Sequence, residues 1–180
     1  MGRILASVTA AALSAASTLH AQSAGTEADI ADAQSVWNAM TEAGLAGPGA
    51  IMTLPYDGTE PHGMQLETFF SEATADGHSG LLVVKRNYGP EGVSAEDVLA
   101  DPDAHLAAIT VMFQREDGYD PDNNNWFYAK YLPDGSLDEN PAGMALAGAV
   151  GHDMSGGCIA CHVGADGDDY LFTTDAFGSE

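Results

Sequence analysis

Ile30, Ala33, Val36, Trp37 and Met40 recur at helical spacing and stop at Gly44. Thr26, with Asp29 three residues on, has the form of a capping box. The spacing predicts one amphipathic helix of about four turns. After the Gly47-Pro48-Gly49 break the pattern changes. Gly63–Ser71, Gly80–Tyr88, Ala108–Glu116 and Trp126–Leu132 are short runs rich in β-branched and aromatic residues, bounded by Gly, Pro, Asp and Asn. Such runs read as strands. Asp117–Asn125 is turn chemistry throughout and predicts a hairpin between the last two. Ser94 caps a short helix to Ala100, with Asp97 three residues on. Pro141 to Val150 is small and apolar and reads as helical. The order of elements predicts an α+β, mostly β fold: a curved antiparallel sheet with an N-terminal helix and a helix or loop at the C-terminal end.

Residues 1–21 follow a different logic. Arg3 is their one charged residue, an Ala/Leu/Val-rich stretch follows, and small residues lead to Ala21. This is the form of a secretory signal peptide. Ser7, Thr9, Ser14, Ser17 and Thr18 interrupt the apolar run, which falls short of the ~20 residues a membrane span needs. We therefore expect an exported, periplasmic protein with no membrane attachment after cleavage. Residues 22–30 are a lead-in, and 31–180 a single domain.

Composition narrows the partners. The chain has 180 residues, 45% of them hydrophobic, enough for one core. It carries 27 acidic against 5 basic side chains, a net charge of −22. Nucleic acid is excluded, because neutralising phosphates takes Lys and Arg. The same charge suits a basic redox partner protein. Asp120, Asp122 and Asn124 open like a calcium loop, but the sixth place is Asn125 and the twelfth Tyr131, so the ligand set fails. Asp166, Asp168 and Asp169 read as solvated charge.

The candidate chemistry is concentrated in Cys158-Ile159-Ala160-Cys161-His162. C-x-x-C-H puts two thiols on one turn, where each can add to a vinyl group of haem, and His162 then supplies an imidazole to the iron. The pattern predicts one covalent haem c, with Cys158 and Cys161 as thioether links and His162 as proximal ligand. A structural disulfide, a thioredoxin-like redox pair and a zinc half-site completed by His152 and His162 are the alternatives. The redox pair normally opens a helix early in a βαβ unit, and this motif lies 18 residues before the last residue given. The small helical electron-transfer cytochromes carry the motif near the N-terminus and a Met ligand downstream, and no Met follows His162. Four-helix-bundle cytochromes need four helical periodicities, which this chain lacks.

Further motifs carry a resemblance. Pro61-His62-Gly63 leads into a strand, and Gly80-Leu-Leu-Val-Val-Lys85 follows. Gly118-Tyr119-Asp120-Pro121 then precedes Asn125-Trp126-Phe127-Tyr128, and Asp169-Tyr170-Leu171-Phe172 trails the C-x-x-C-H. In this order, from about Ala31 to Phe177, the chain resembles the cytochrome P-460 family and its relative cytochrome c-prime-beta. The resemblance implies a mono-haem periplasmic protein, a homodimer, with five-coordinate iron: His162 proximal, the other face open to a small gaseous or nitrogen-oxide ligand. The c-prime-beta proteins bind nitric oxide and carbon monoxide and are thought to sense, store or detoxify; cytochromes P-460 oxidise hydroxylamine. Lys85 matches the lysine that cross-links to the porphyrin in cytochrome P-460. The position of that enzyme's carboxylate base falls near Val111. Ile109, Val111 and Phe113 share one face there and carry no proton acceptor, so an apolar distal pocket of Val111 and Phe113, covered by Phe69 and Phe70, is expected. This favours nitric-oxide binding over a hydroxylamine oxidoreductase, with plain electron transfer third. An electron carrier would need a sixth ligand, for which His62, Met64, Met112 and His152 are the candidates.

Overall fold

A computed structural model of the chain describes residues 24–152, 156–166 and 169–172. Residues 1–21, read from the sequence as a signal peptide, lie outside these residues. The helix α1 spans Glu27–Glu42, and its capping box forms as expected: the Thr26 hydroxyl accepts from the Asp29 amide at 3.1 Å, and Asp29 accepts from the Thr26 amide at 2.9 Å. Residues 27–30 are thus helical, and only 24–26 of the described lead-in precede the helix. Ala33, Val36 and Met40 form its buried stripe.

Six antiparallel strands follow in simple sequence order: β1 (Tyr56–Asp57), β2 (Gln65–Ala75), β3 (His78–Tyr88), β4 (Leu106–Gln114), β5 (Trp126–Tyr131) and β6 (Ala147–Gly148). The mostly β antiparallel architecture is as the sequence predicts. Strands β2 and β3 run further than expected, pairing from Gln65↔Tyr88 to Ala75↔His78 around Asp76-Gly77. Both turn residues have positive φ, 48° and 76°. This is the geometry that Asp-Gly favours in a two-residue hairpin. The turn-rich segment after β4 makes the expected β4–β5 hairpin, around a 3-10 turn at Pro121–Asn123. Helix α2 (Ala95–Ala100) is capped by Ser94, and α3 (Pro102–His105) adds one turn.

The segment Pro141–Val150 is not helical. It turns and enters β6, which pairs with β5 through Tyr128↔Gly148 and Ala129↔Ala147. Gly148 has φ +94, and a Cβ there would collide with the carboxylate of Asp29. The close approach of the α1 N-terminus requires glycine at this point.

Both faces of the sheet are covered. On one, Leu82, Val84, Ile109, Val111, Phe113, Phe127, Ala129 and Tyr131 pack against Ala33, Val36 and Met40 of α1. Tyr131 also donates its hydroxyl to the Ala33 carbonyl at 2.7 Å. On the other face Val83, Met112, Trp126 and Tyr128 pack against Ala149, Val150, Leu171 and Ile159. Ile159 belongs to the last helix, α4 (Gly157–His162). The pleat forces this division, because successive side chains leave a strand on opposite sides.

Candidate functional site

α4 is the C-x-x-C-H segment itself. Ile159, between the two cysteines, is fully buried on the sheet, and its amide donates to the Val150 carbonyl at 3.0 Å. That anchor leaves Cys158 half-buried and Cys161 exposed, both as free thiols. Burial pushes the Cys158 thiol up to about 11. A nucleophilic redox cysteine requires the opposite shift, so the geometry disfavours the thioredoxin-like alternative.

His162 is buried at the end of the helix. Its Nδ1 donates to the carbonyl of Tyr170 at 2.8 Å, since a carbonyl oxygen only accepts. The remaining nitrogen, Nε2, keeps its lone pair. A metal-binding histidine usually donates its other ring N–H to a carbonyl in this way, which fixes its tautomer and orientation. Three rings surround it: Tyr128 at 5.6 Å, Phe172 at 5.7 Å and His62 at 6.1 Å between centroids. Burial lowers the pKa of His162; its hydrogen bond to Tyr170 opposes that shift and Lys85 adds to it.

Lys85 lies on this same side, following Leu81 and Val83 by alternation as expected. It faces Thr110 of β4, which in turn faces Lys130 of β5. A polar row therefore crosses an otherwise apolar face. Lys130 is paired with Asp138 at 2.8 Å, Arg86 with Glu67, and Arg115 with Asp32 and Glu116. Lys85 has no carboxylate partner among the described residues. Burial alone pulls its ammonium below its ordinary range. A desolvated, unpaired amine is a better nucleophile than a surface lysine.

His62, on the loop before β2, places Nδ1 3.3 Å from the Thr110 hydroxyl. Burial pulls it down to about 4, helped by Lys85, His162 and Lys130. A cleft of about 420 Å³ opens beside it, lined by Met64, Asn87, Ala108 and Lys130 among others.

The expected distal pocket is not assembled. Val111 and Phe113 lie in the core against α1, on the opposite side of the sheet from His162. Phe69 faces that side too, its ring under the Arg86 guanidinium at 5.0 Å. Of the four, Phe70 alone shares the α4 face, half-exposed beside Leu81, Trp126 and Leu171. Thr110 and Met112 are among the β4 residues on the α4 side of the sheet. Of the other candidates for a sixth ligand, Met64 is exposed, and His152 bonds to Asp120 at 3.2 Å. Tyr128, Thr110 and Lys130 were given no role by the sequence; alternation from Trp126 through Tyr128 to Lys130 was the available signal.

No family model, curated protein or solved structure matches this chain.

The donor set fits a covalently held haem. Two free thiols flank one turn, and among the described residues neither the adjacent imidazole's Nε2 nor the buried Tyr128 hydroxyl has a hydrogen-bond partner. It fits a zinc ion poorly: among the described residues no group of three or more His, Cys, Asp or Glu side chains is placed to hold a metal.

Proposed function

We propose that this chain is an exported mono-haem c-type protein that takes a small nitrogen-oxide ligand, chiefly nitric oxide, on the side of the iron opposite His162. The observation that carries the reading is the hydrogen bond from His162 Nδ1 to Tyr170, in the residue that follows Cys158-x-x-Cys161. Cys158 and Cys161 would hold the haem, and it would supply an iron that binds neutral diatomic molecules. The chain's own contribution is to fix the imidazole tautomer, exclude water with Tyr128, Trp126 and Ile159, and keep the covered face largely apolar. The net charge of −22 favours a basic partner protein if electrons are exchanged.

Lys85 favours a second reading, oxidation of hydroxylamine with this amine joined to the porphyrin edge. Its support is the half-buried position of Lys85 on the His162 side of the sheet, with no carboxylate partner among the described residues.

The test is expression with haem-attachment machinery, followed by absorption spectroscopy and mass measurement of the protease-derived haem peptide. Attachment at Cys158 and Cys161 with reversible nitric-oxide binding supports the first reading. A third attachment at Lys85 with steady hydroxylamine turnover supports the second. A colourless protein overturns both.

A further inference from the structure

His62 and His162 come from distant parts of the chain, the loop before β2 and the end of α4, yet their rings lie 6.1 Å apart. Each has its Nδ1 engaged, His162 by the Tyr170 carbonyl at 2.8 Å and His62 by the Thr110 hydroxyl at 3.3 Å. No described residue bonds to Nε2 of either ring. We propose that His62 is the second axial partner of the iron, opposite His162, and that a small ligand binds by displacing it. This deepens the haem reading above and rests on it.

The separation carries the argument. Metal–imidazole bonds are about 2.0–2.1 Å long, so two imidazoles held on opposite sides of one metal by Nε2 stand about 6 Å apart between centroids. The rings are inclined at 87°. Trans imidazoles accept that angle, because each plane has only to contain the bond axis. For His62 to donate no proton toward the metal, its Nδ1–H must donate to the Thr110 oxygen, which has lone pairs for it. No other described candidate meets these conditions. Met112 is on the same face but is packed among Val83, Trp126 and Ile159. Displacement is open to His62 because its loop borders the 420 Å³ cleft.

The coordination change is balanced and needs no redox partner: one iron–nitrogen bond breaks and one iron–ligand bond forms. Its cost appears as a reduced apparent affinity, set by the fraction of protein with His62 dissociated.

The experiment compares wild type and His62→Ala, both with covalent haem. The expected ferric wild type is six-coordinate and low-spin, and the variant is high-spin. Carbon monoxide should bind the ferrous variant about tenfold faster or more. Added imidazole should return the variant to the low-spin spectrum, which also shows that its fold is intact. A high-spin wild type overturns the proposal while leaving the haem reading standing. A variant that stays low-spin, or that imidazole does not restore, overturns it as well. Colourless wild-type protein overturns the haem reading and this one together.

Discussion

His162 and Tyr170 are joined by a hydrogen bond of 2.8 Å from the imidazole Nδ1 to the backbone carbonyl. The bond closes the tail of the chain over the sheet, where the Trp126 indole also donates to the Asp169 carbonyl at 3.1 Å. It fixes a neutral imidazole with Nε2 as the acceptor.

His62 and His162 both have folded-state pKa values below the ordinary 6.5, His62 at about 4. The unfolded chain then binds more protons than the folded one between those limits, so stability rises with pH across that window. The haem-free protein should lose stability as pH falls from about 6.5 to about 4. His62→Asn should abolish about 2 kcal/mol of that loss. Urea unfolding of both proteins at pH 4.5 and 7.5 isolates the histidine from the carboxylates, which titrate in both. Equal pH dependence in the two proteins would count against the assignment.

The two thiols should react at very different rates in the haem-free protein. At pH 8 the thiolate fraction of Cys158, with its pKa at about 11, is on the order of one in a thousand. Cys161 is exposed. Limited alkylation followed by peptide mass analysis should find Cys161 modified well before Cys158. The reverse order would revive the redox-pair alternative.

Val111→Ala should cost about 2 kcal/mol, from lost methyl groups and the cavity between the sheet and α1. It should leave nitric-oxide affinity of the haem-loaded protein unchanged, because Val111 is on the far side of the sheet from His162. A large change in affinity with little change in unfolding midpoint would reverse that placement.

Arg86→Met should destabilise by about 3–5 kcal/mol in denaturant unfolding. Glu67 is fully buried and would lose its only cationic partner among the described residues. Arg86 also donates to the carbonyls of Leu45 at 2.8 Å and Ile51 at 2.7 Å, and these bonds hold the loop after α1. Glu67→Gln with Arg86→Met should recover part of the loss, since the unpaired charge is then gone.

The helices and hairpins were legible where local chemistry decides them. The Thr26 and Ser94 capping boxes and the turn residues from Asp117 to Asn125 act within a few residues of themselves. Pro141–Val150 was misread as helix because its small apolar residues carry no period; the pairing of Ala147 and Gly148 with β5 is a long-range contact. The side of the sheet that Val111 and Phe113 occupy was misread for a related reason. Ile109, Val111 and Phe113 are apolar, and so is Met112 between them. Alternation separates the two sets of side chains, but where both faces are covered it does not say which set meets α4.

The sequence by itself determined that the two cysteines and His162 share one helical turn, because that proximity is covalent and local. It also determined that Leu81, Val83 and Lys85 share a face, because the pleat has a period of two. Only the tertiary structure decided which face α4 covers, that Lys85 meets no carboxylate among the described residues, and that His62 reaches His162. Those facts depend on strand order and on the return of the tail across β5, which are set by the burial of two apolar layers at once.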